Sequence, residues 1–490
     1  MVLDPDACYR ALVAHDARFD GLFFVGVRTT GIYCRPVCRA RTPGRDRCTF
    51  FRTAAEAEAA GFRSCFRCRP ELAPGAAPVD AVSRVVAGAM RRIDEGALSP
   101  EGTVEDLARE LGVSGRHLRR AMQAELGVSP LAFAATRRLA LARQLVVDTR
   151  LPMTEIAFAS GFRSLRRFNA AVKARYGRPP SAMRGHAGEA GEDAGALTVT
   201  LSYRPPYDWA AMLGHLAARA IPGVELVRDG VYLRTAAIGD LRGWLAVEPS
   251  PGRASLRATV SAPLRGALMA IVARLRRLFD LDAEPGAIAA HLGRDPRLAA
   301  HVRSRPGLRV GGAFDPFEVA ARAVLGQQVS LAAARTLAGR LAALLGDAVE
   351  TPYPELTRVF PRAERLARHA EHDLASALRV PSRRASTLVA LARALASGAL
   401  DLGAGEPADI VARMVALPGV GPWTAHTLAM RALGWPDAFP DGDLGLRKAL
   451  GGISGRQARA LAEAWRPWRA YGATHLWTEL GARRAEGAHP

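Results

Sequence analysis

Residues Met414 to Leu433 read MVALPGVGPWTAHTLAMRAL, and WPDAFPDGDLGLRKAL follows soon after. Leu-Pro-Gly-Val-Gly stands between two helical segments, which is a helix-hairpin-helix pattern. Gly419 and Gly421 permit a tight turn whose backbone N–H groups can face a DNA phosphate without side-chain obstruction. A tight interhelical turn that binds nothing would look the same locally. Asp443 follows Gly421 by 22 residues, just ahead of LGLRKAL, a position where aspartate commonly caps a helix.

Outward from this hairpin, the pattern is helical from Leu264 almost to the end, with FEVAARAVLGQQVSLAAARTLAGRLAALLG as the longest periodic stretch. From Leu197 to about Val260, alternation in LTVTLSYRP, VELVRDGVYLRTA and ASLRATV predicts short strands, interrupted by a helix from Trp209 to Arg219. GHAGEAGEDAGA, ending at Ala196, has the small polar composition of a flexible linker. Residues 81 to 183 are almost all helical in pattern. Two segments there, VEDLARELGVSGRHLRRAM (Val104 to Met122) and MTEIAFASGFRSLRRFNAAV (Met153 to Val172), share an apolar helix, a glycine turn and a basic helix. That layout is the helix-turn-helix signature, whose second helix enters the major groove. The candidate recognition helices are Ser114 to Met122 and Ser164 to Val172. Arg116, His117, Arg119, Arg163, Arg166 and Arg167 are their candidate base or phosphate contacts, with exposed helix charge as the alternative for each.

The six cysteines, Cys8, Cys34, Cys38, Cys48, Cys65 and Cys68, all lie at the N-terminal end. GIYCRPVCRAR spaces Cys34 and Cys38 as C-x3-C, and GFRSCFRCRP spaces Cys65 and Cys68 as C-x2-C. Two such pairs can bring four sulfurs to one tetrahedral Zn2+. In a reducing compartment a cluster of this kind binds metal rather than forming disulfides. Spacing alone favours a purely structural zinc site, with Cys8 and Cys48 as ordinary buried thiols.

The chain has 490 residues, about three times the usual domain, so several modules are expected. Hydrophobic residues make up 49% and charged residues 23%, which excludes a disordered or fibrous chain. The net charge is +20, an attraction to polyanions and most simply to nucleic acid. Lys173 and Lys448 are the only lysines, so the charge is almost all guanidinium, suited to bidentate phosphate contacts. Residues 76 to 185 hold 18 Lys plus Arg against 10 Asp plus Glu. No apolar run approaches the length of about eighteen residues that spans a membrane, and the N-terminus lacks the pattern of a secretion signal. A cytoplasmic protein without membrane contact is expected; no protein partner is identifiable.

VGVRTTGIYCRPVCRAR and FFRTAAEAEAAGFRSCFRCRP closely resemble the N-terminal domain of Ada-type DNA alkylation-response proteins. The resemblance implies Zn2+ held by Cys34, Cys38, Cys65 and Cys68, with Cys34 taking a methyl group from a methylated DNA phosphate. Four thiolates on Zn2+ carry a net charge of −2, which keeps the sulfurs nucleophilic. Methylation removes one negative charge, worth about 1–2 kcal/mol in DNA affinity at roughly 8 Å and an effective dielectric of about 20–40. Arg28, Arg35, Arg39, Arg41, Arg67 and Arg69 would offset the cluster's own repulsion from DNA. The paired helix-turn-helix layout, ending in GRPPSAMR, resembles the AraC-type DNA-binding domain.

LGQQVS, LPGVGPWTA, the Asp443 region and WRPWRAYGATHLW together resemble the AlkA-type 3-methyladenine DNA glycosylases of the helix-hairpin-helix superfamily. The resemblance implies that Asp443 is catalytic rather than Asp441, and that Trp423 and Trp477 line the pocket of a flipped base. Core packing is the alternative for each tryptophan. Gln328 stands where a relative inserts leucine into the DNA gap. Thr427 and Thr478 stand where further aromatics are expected, so the pocket has fewer rings. No lysine lies in the hairpin to form a Schiff base, so a monofunctional glycosylase is expected. No cysteine follows Cys68, so action on O6-alkylguanine is not expected.

The expected architecture is multidomain and mainly α. It comprises a four-cysteine zinc domain (1–75), a double helix-turn-helix domain (80–185), a linker (186–196), an α+β subdomain (197–310) and an all-α helix-hairpin-helix glycosylase domain (311–482). Expected partners are alkylated and promoter double-stranded DNA. The rival expectation is a DNA-binding regulator with an inactive glycosylase half.

Overall fold

The computed structural model describes residues 3–75, 83–99, 102–184, 196–402 and 406–486. The expected linker falls outside these residues except for its last member, Ala196. Two compact units are present: Met1–Pro205 with Ile238–Leu241 and Pro249–Ala273, and Pro206–Ala237 with Arg242–Glu248 and Arg274–Pro490.

In the first unit, helix Pro5–Val13 is capped by Asp4, which accepts from the Asp6 N–H. A four-stranded sheet follows, built from β1 (Phe24–Val27), β2 (Ile32–Cys34), β3 (Cys48–Phe51) and β4 (Arg63–Ser64) in the order β3-β1-β2-β4. Period-two alternation sends Val25 to one cluster with Cys8, Leu12, Phe23 and Cys48, and Phe24 to another with Tyr33, Phe51 and Ala57. Cys8 and Cys48 are therefore core residues, as expected.

The helices after residue 83 are cut by side-chain caps and glycines. Thr103 and Asp106 form a capping box at Val104–Glu110, and Ser114 caps Gly115–Leu126. The second pair is Met153–Ala159 and Leu165–Tyr176, the latter capped by Ser164 and ended by Gly177 at φ 70°. Both recognition helices thus run one turn beyond the expected ends. Leu118, Met122 and Leu126 face inward from the first, and Phe168, Val172 and Tyr176 from the second. Pro130–Asp148 connects the two pairs and is buried along most of its length.

Five further strands are β5 (Ala196–Ser202), β6 (Glu225–Arg228), β7 (Val231–Ile238), β8 (Leu241–Pro249) and β9 (Ser255–Ser261). In the first unit β5 pairs antiparallel with β9, Val199 opposite Ala258. In the second, β6 and β7 form a hairpin around Asp229 and Gly230, both at positive φ, as a two-residue turn demands. β8 falls outside the expected strands. Its inward positions begin with Gly243, which has no side chain to register in a hydrophobic pattern.

The rest of the second unit is helical. Pro316–Leu325 is buried on nearly every side and packs against Leu331–Leu345, Ser382–Ala396 and Pro422–Arg431. The long periodic stretch is therefore two helices, broken at Gly326–Ser330, where Gln328 has φ 55°.

Candidate functional site

Cys34 ends β2, Cys65 follows β4, and the two strands pair in parallel, so the sheet brings the two cysteine pairs together. The sulfurs of Cys34, Cys38, Cys65 and Cys68 all lie within 4.8 Å of one another. Tetrahedral Zn–S bonds of about 2.3 Å require sulfurs about 3.8 Å apart, so the donor set and its spacing fit Zn2+. Cys68 accepts from the Arg35 N–H and Cys65 from the Arg67 N–H, both at 3.4 Å. Cys38 accepts from the Ala40 backbone. No backbone donor to Cys34 is among the described hydrogen bonds, and its half-buried sulfur keeps more of its electron density for a reaction.

Two of the six arginines expected near DNA are engaged elsewhere. Arg35 is ion-paired with Asp20 and donates to the Cys68 carbonyl at 3.2 Å. Arg69 bonds Asp148 at 2.5 and 2.9 Å and Glu71 at 2.9 Å. Both tie the cysteine module together or to helix Pro130–Asp148, which spacing in the sequence does not reveal. Arg28, Arg39, Arg41 and Arg67 are exposed.

The same helix grips the cysteine module from inside. Arg143 is 1% exposed, donates to Ser64 Oγ at 2.6 Å and to the Cys65 carbonyl at 2.9 Å, and pairs with Glu71 at 3.1 Å. Its guanidinium lies over Phe66, 4.5 Å from the ring centre. Glu58 accepts from Tyr33 and Thr136 at 2.9 and 2.6 Å and pairs with Arg175; burial pushes its carboxyl up. Replacing Arg143 with leucine is expected to destabilise this unit by about 3 kcal/mol, because the Ser64, Cys65 and Glu71 acceptors lose a buried partner. Scanning calorimetry would detect that loss, and an unchanged transition would show that the clamp contributes nothing.

Arg116, His117, Arg119, Arg163, Arg166 and Arg167 are exposed on or just before the two recognition helices. Arg119 bonds Glu105 at 2.5 Å, an exposed pair that a phosphate can replace at small cost.

In the second unit, helices Pro407–Val415 and Pro422–Arg431 flank the Leu-Pro-Gly-Val-Gly turn. Gly419 has φ 82°, and a Cβ there would meet Thr387 Oγ1 at 1.9 Å; its carbonyl accepts from Gln327 at 3.0 Å. Gly421 is exposed, and a Cβ there would meet nothing. The two glycines therefore have different work. Gly419→Ala should cost roughly 2–4 kcal/mol of stability by thermal denaturation. Gly421→Ala should leave the melting temperature unchanged and weaken duplex DNA binding about tenfold, by holding a phosphate off the turn's N–H groups. Equal behaviour of the two variants in both measurements would contradict this division.

Asp443 caps helix Leu444–Ala449, accepting from the Leu446 N–H at 2.8 Å. The same carboxylate accepts from both candidate tryptophans, from Trp423 Nε1 at 3.0 Å and from Trp477 Nε1 at 2.9 Å. Helix capping and placement between two aromatic rings are one arrangement here, not alternatives. Asp441 is 8% exposed, its Oδ2 is engaged by Arg459 at 2.6 Å, and neither tryptophan donates to it. Thr427 and Thr478 are half-buried, and Thr478 Oγ1 is used within its own helix, bonding the Thr474 carbonyl at 2.9 Å. Gln328 is exposed at the break before Leu331–Leu345 and has no described contact with the Asp443 group. Its neighbour Gln327, which no local pattern singles out, braces the hairpin by bonding Thr424 at 3.2 Å as well as Gly419.

Family models match the metal binding domain of Ada over residues 7–71, a helix-turn-helix domain over 107–186, the AlkA N-terminal domain over 198–315, and the HhH-GPD superfamily base excision DNA repair protein over 321–469. Fold and site together thus define a chain that joins an Ada-type thiolate module to a helix-hairpin-helix base-excision module. The probable bifunctional transcriptional activator/DNA repair enzyme AlkA of Mycobacterium tuberculosis is 45% identical over 97% of both chains. The chain belongs to that family of bifunctional activator and repair enzymes. DNA-3-methyladenine glycosylase 2 of Escherichia coli is 40% identical over 58% of this chain and 97% of its own length. In fold alone, the 3-methyladenine DNA glycosylase structure from Archaeoglobus fulgidus matches at a TM-score of 0.51 and 21% identity, covering 58% of this chain and 98% of that one. Among the described residues no helix is long and apolar enough to cross a membrane.

Proposed function

We propose that this protein detects and repairs alkylated double-stranded DNA. It acts as a DNA-3-methyladenine glycosylase, accepts methyl groups from DNA methylphosphotriesters, and regulates transcription. The observation that carries the enzymatic part is the Asp443 carboxylate held between Trp423 and Trp477. A base inside a duplex is unreachable, so the nucleotide must be flipped, and the tryptophan faces can hold it. As the bond from sugar to base breaks, positive charge develops at the sugar. Asp443 supplies a fixed negative charge there, and water completes the hydrolysis. The bonded carboxylate also weighs against the rival of an inactive glycosylase half. Release of free 3-methyladenine from methylated duplex by the full chain, followed by chromatography, is the test; a folded protein that releases none sinks this reading.

Cys34, Cys38, Cys65 and Cys68 would hold Zn2+, which would keep all four sulfurs as thiolates. Cys34 Sγ attacks the methyl carbon of a methylphosphotriester. The S–C bond forms, the C–O bond breaks, and the phosphate oxygen keeps the electron pair and regains its charge. Arg116, Arg119, Arg166 and Arg167 contact promoter DNA, Gly419 and Gly421 place the hairpin N–H groups at a phosphate, and Gln328 fills the gap left by the flipped base from its exposed turn. The working modules are 1–75, 80–185, 197–310 and 311–482, in the cytoplasm.

A further inference from the structure

β5 opens the stretch matched to the AlkA N-terminal domain, yet it lies in the same compact unit as the cysteine module. Leu197, Val199 and Leu201 are buried along one face of the strand, which packs against helix Pro130–Asp148 and the Pro70–Leu72 turn that follows Cys68. Gln144 of that helix bonds the Thr200 carbonyl at 3.0 Å. The turn Ala262–Ala267 after β9 is tied to helix Met153–Ala159, Arg265 Nη1 bonding Glu155 at 2.8 Å. Just past β5 comes Arg204, 0% exposed. Pro205 and Pro206, without N–H groups for a ladder, follow it, and the second unit begins at Pro206.

Arg204 Nε donates to the Asp20 carbonyl at 2.9 Å and Nη2 to the Gly75 carbonyl at 2.5 Å. A guanidinium sealed from water is costly unless its N–H groups are used, and these two carbonyls use them. Cys34, Cys38, Cys65 and Cys68 all lie between Asp20 and Gly75 in the chain. One guanidinium from outside the module therefore holds both ends of the segment that supplies the four sulfurs. The two ends are pressed together: Gly21 has φ 76°, and a Cβ there would fall 2.0 Å from the Pro74 carbonyl oxygen. The Asp20 side chain carries the hold inward. Its carboxylate accepts from Arg35 Nε at 2.8 Å and is ion-paired with that guanidinium. Arg35 Nη1 in turn donates to the Cys68 carbonyl at 3.2 Å, and the Arg35 N–H donates to Cys68 Sγ at 3.4 Å. Arg204, Asp20, Arg35 and Cys68 thus form one unbroken series of polar contacts.

We propose that Arg204 is a positioning residue for the methyl-acceptor site, so that the strand opening the repair half of the chain completes the thiolate module. It acts through Asp20 and Arg35 on Cys68, without touching the metal or the DNA. The inference rests on the methyl-acceptor reading and adds to it a residue from the other half of the chain. Groups that orient metal ligands by hydrogen bonds govern how firmly the metal is kept and how the ligands point. With Asp20 unheld, Arg35 no longer fixes Cys68; metal retention falls, and Cys34 loses the fixed line of approach to the methyl carbon. Arg265 ties the same ribbon to the same unit but reaches no cysteine, which separates this hold from general loosening.

The test uses the full-length, zinc-loaded chain and its Arg204→Met, Arg204→Lys and Arg265→Met variants. Zinc release to the chromogenic chelator pyridylazoresorcinol is followed at neutral pH. Methyl uptake at Cys34 is followed in parallel by intact mass over a series of methylphosphotriester DNA concentrations. Arg204→Met should release zinc at least about tenfold faster and take up methyl at least about fivefold more slowly at saturating DNA, with the half-saturating concentration within about twofold of wild type. Arg204→Lys keeps one cationic donor and should recover at least about half of each loss on a logarithmic scale. Arg265→Met should stay within about twofold of wild type in both measurements. Wild-type rates in a folded Arg204→Met chain, or losses in Arg265→Met as large as those in Arg204→Met, overturn the proposal. If circular dichroism shows Arg204→Met unfolded, Arg204→Lys decides: zinc release at least about threefold faster supports the proposal, and wild-type release overturns it. The acceptor reading fails separately, when the wild type takes up no methyl, and zinc release then still decides what Arg204 holds.

Discussion

Asp443→Asn should lower release of 3-methyladenine from methylated duplex DNA by about a thousandfold, or roughly 4 kcal/mol in transition-state stabilisation. The substitution isolates charge from shape. Asparagine caps helices about as well as aspartate, so the bond from the Leu446 N–H to the side-chain oxygen can persist. One indole N–H can still find the amide oxygen. What disappears is the negative charge facing a sugar that becomes cationic. Single-turnover base release at saturating enzyme measures the effect directly, and circular dichroism confirms the fold. Release at the wild-type rate would end the case for a catalytic carboxylate. Asp441→Asn is the contrast. It weakens the bond to Arg459 at 2.6 Å and should change the rate less than about tenfold, acting through loop position alone.

The second large effect is all or none. Exposed to methylphosphotriester DNA, the wild-type chain should gain one methyl group, seen in intact mass and mapped to Cys34, whereas Cys34→Ala should gain none. Cys38, Cys65 and Cys68 each accept a backbone N–H, which lowers their nucleophilicity relative to Cys34. Methylation should also tighten binding to unmodified duplex by about tenfold at fixed moderate salt, the equivalent of about 1.4 kcal/mol from one lost negative charge. A methyl found on another cysteine, or a mass gain surviving in Cys34→Ala, would move the acceptor elsewhere.

The local signals in the sequence carried a good deal of this. Cysteine spacing pointed to a four-sulfur cluster, because paired cysteines a few residues apart have few other uses in a reducing compartment. Glycine between apolar helices pointed to both helix-turn-helix pairs and to the hairpin, because a tight turn constrains residue type at the turn itself. β8 escaped because an inward glycine blanks its alternation. Partnerships across long separations escaped altogether. Arg143 meets the Cys65 carbonyl across 78 residues and Arg431 meets His215 across 216, and nothing in local composition marks either pair. The same blindness made Arg35 and Arg69 look available to DNA when Asp20 and Asp148 occupy them.

The hold of Arg143 on the Cys65 carbonyl has a mechanical consequence. A lesion scanner on a loose tether could inspect one groove while its neighbour slid along another. Here the carbonyl between two metal-binding thiols is bolted into the long helix separating the two recognition pairs, so inspection and docking share a single rigid lever. Grafting either half onto a foreign partner would leave a cationic socket open in one piece and a bare knuckle on the other.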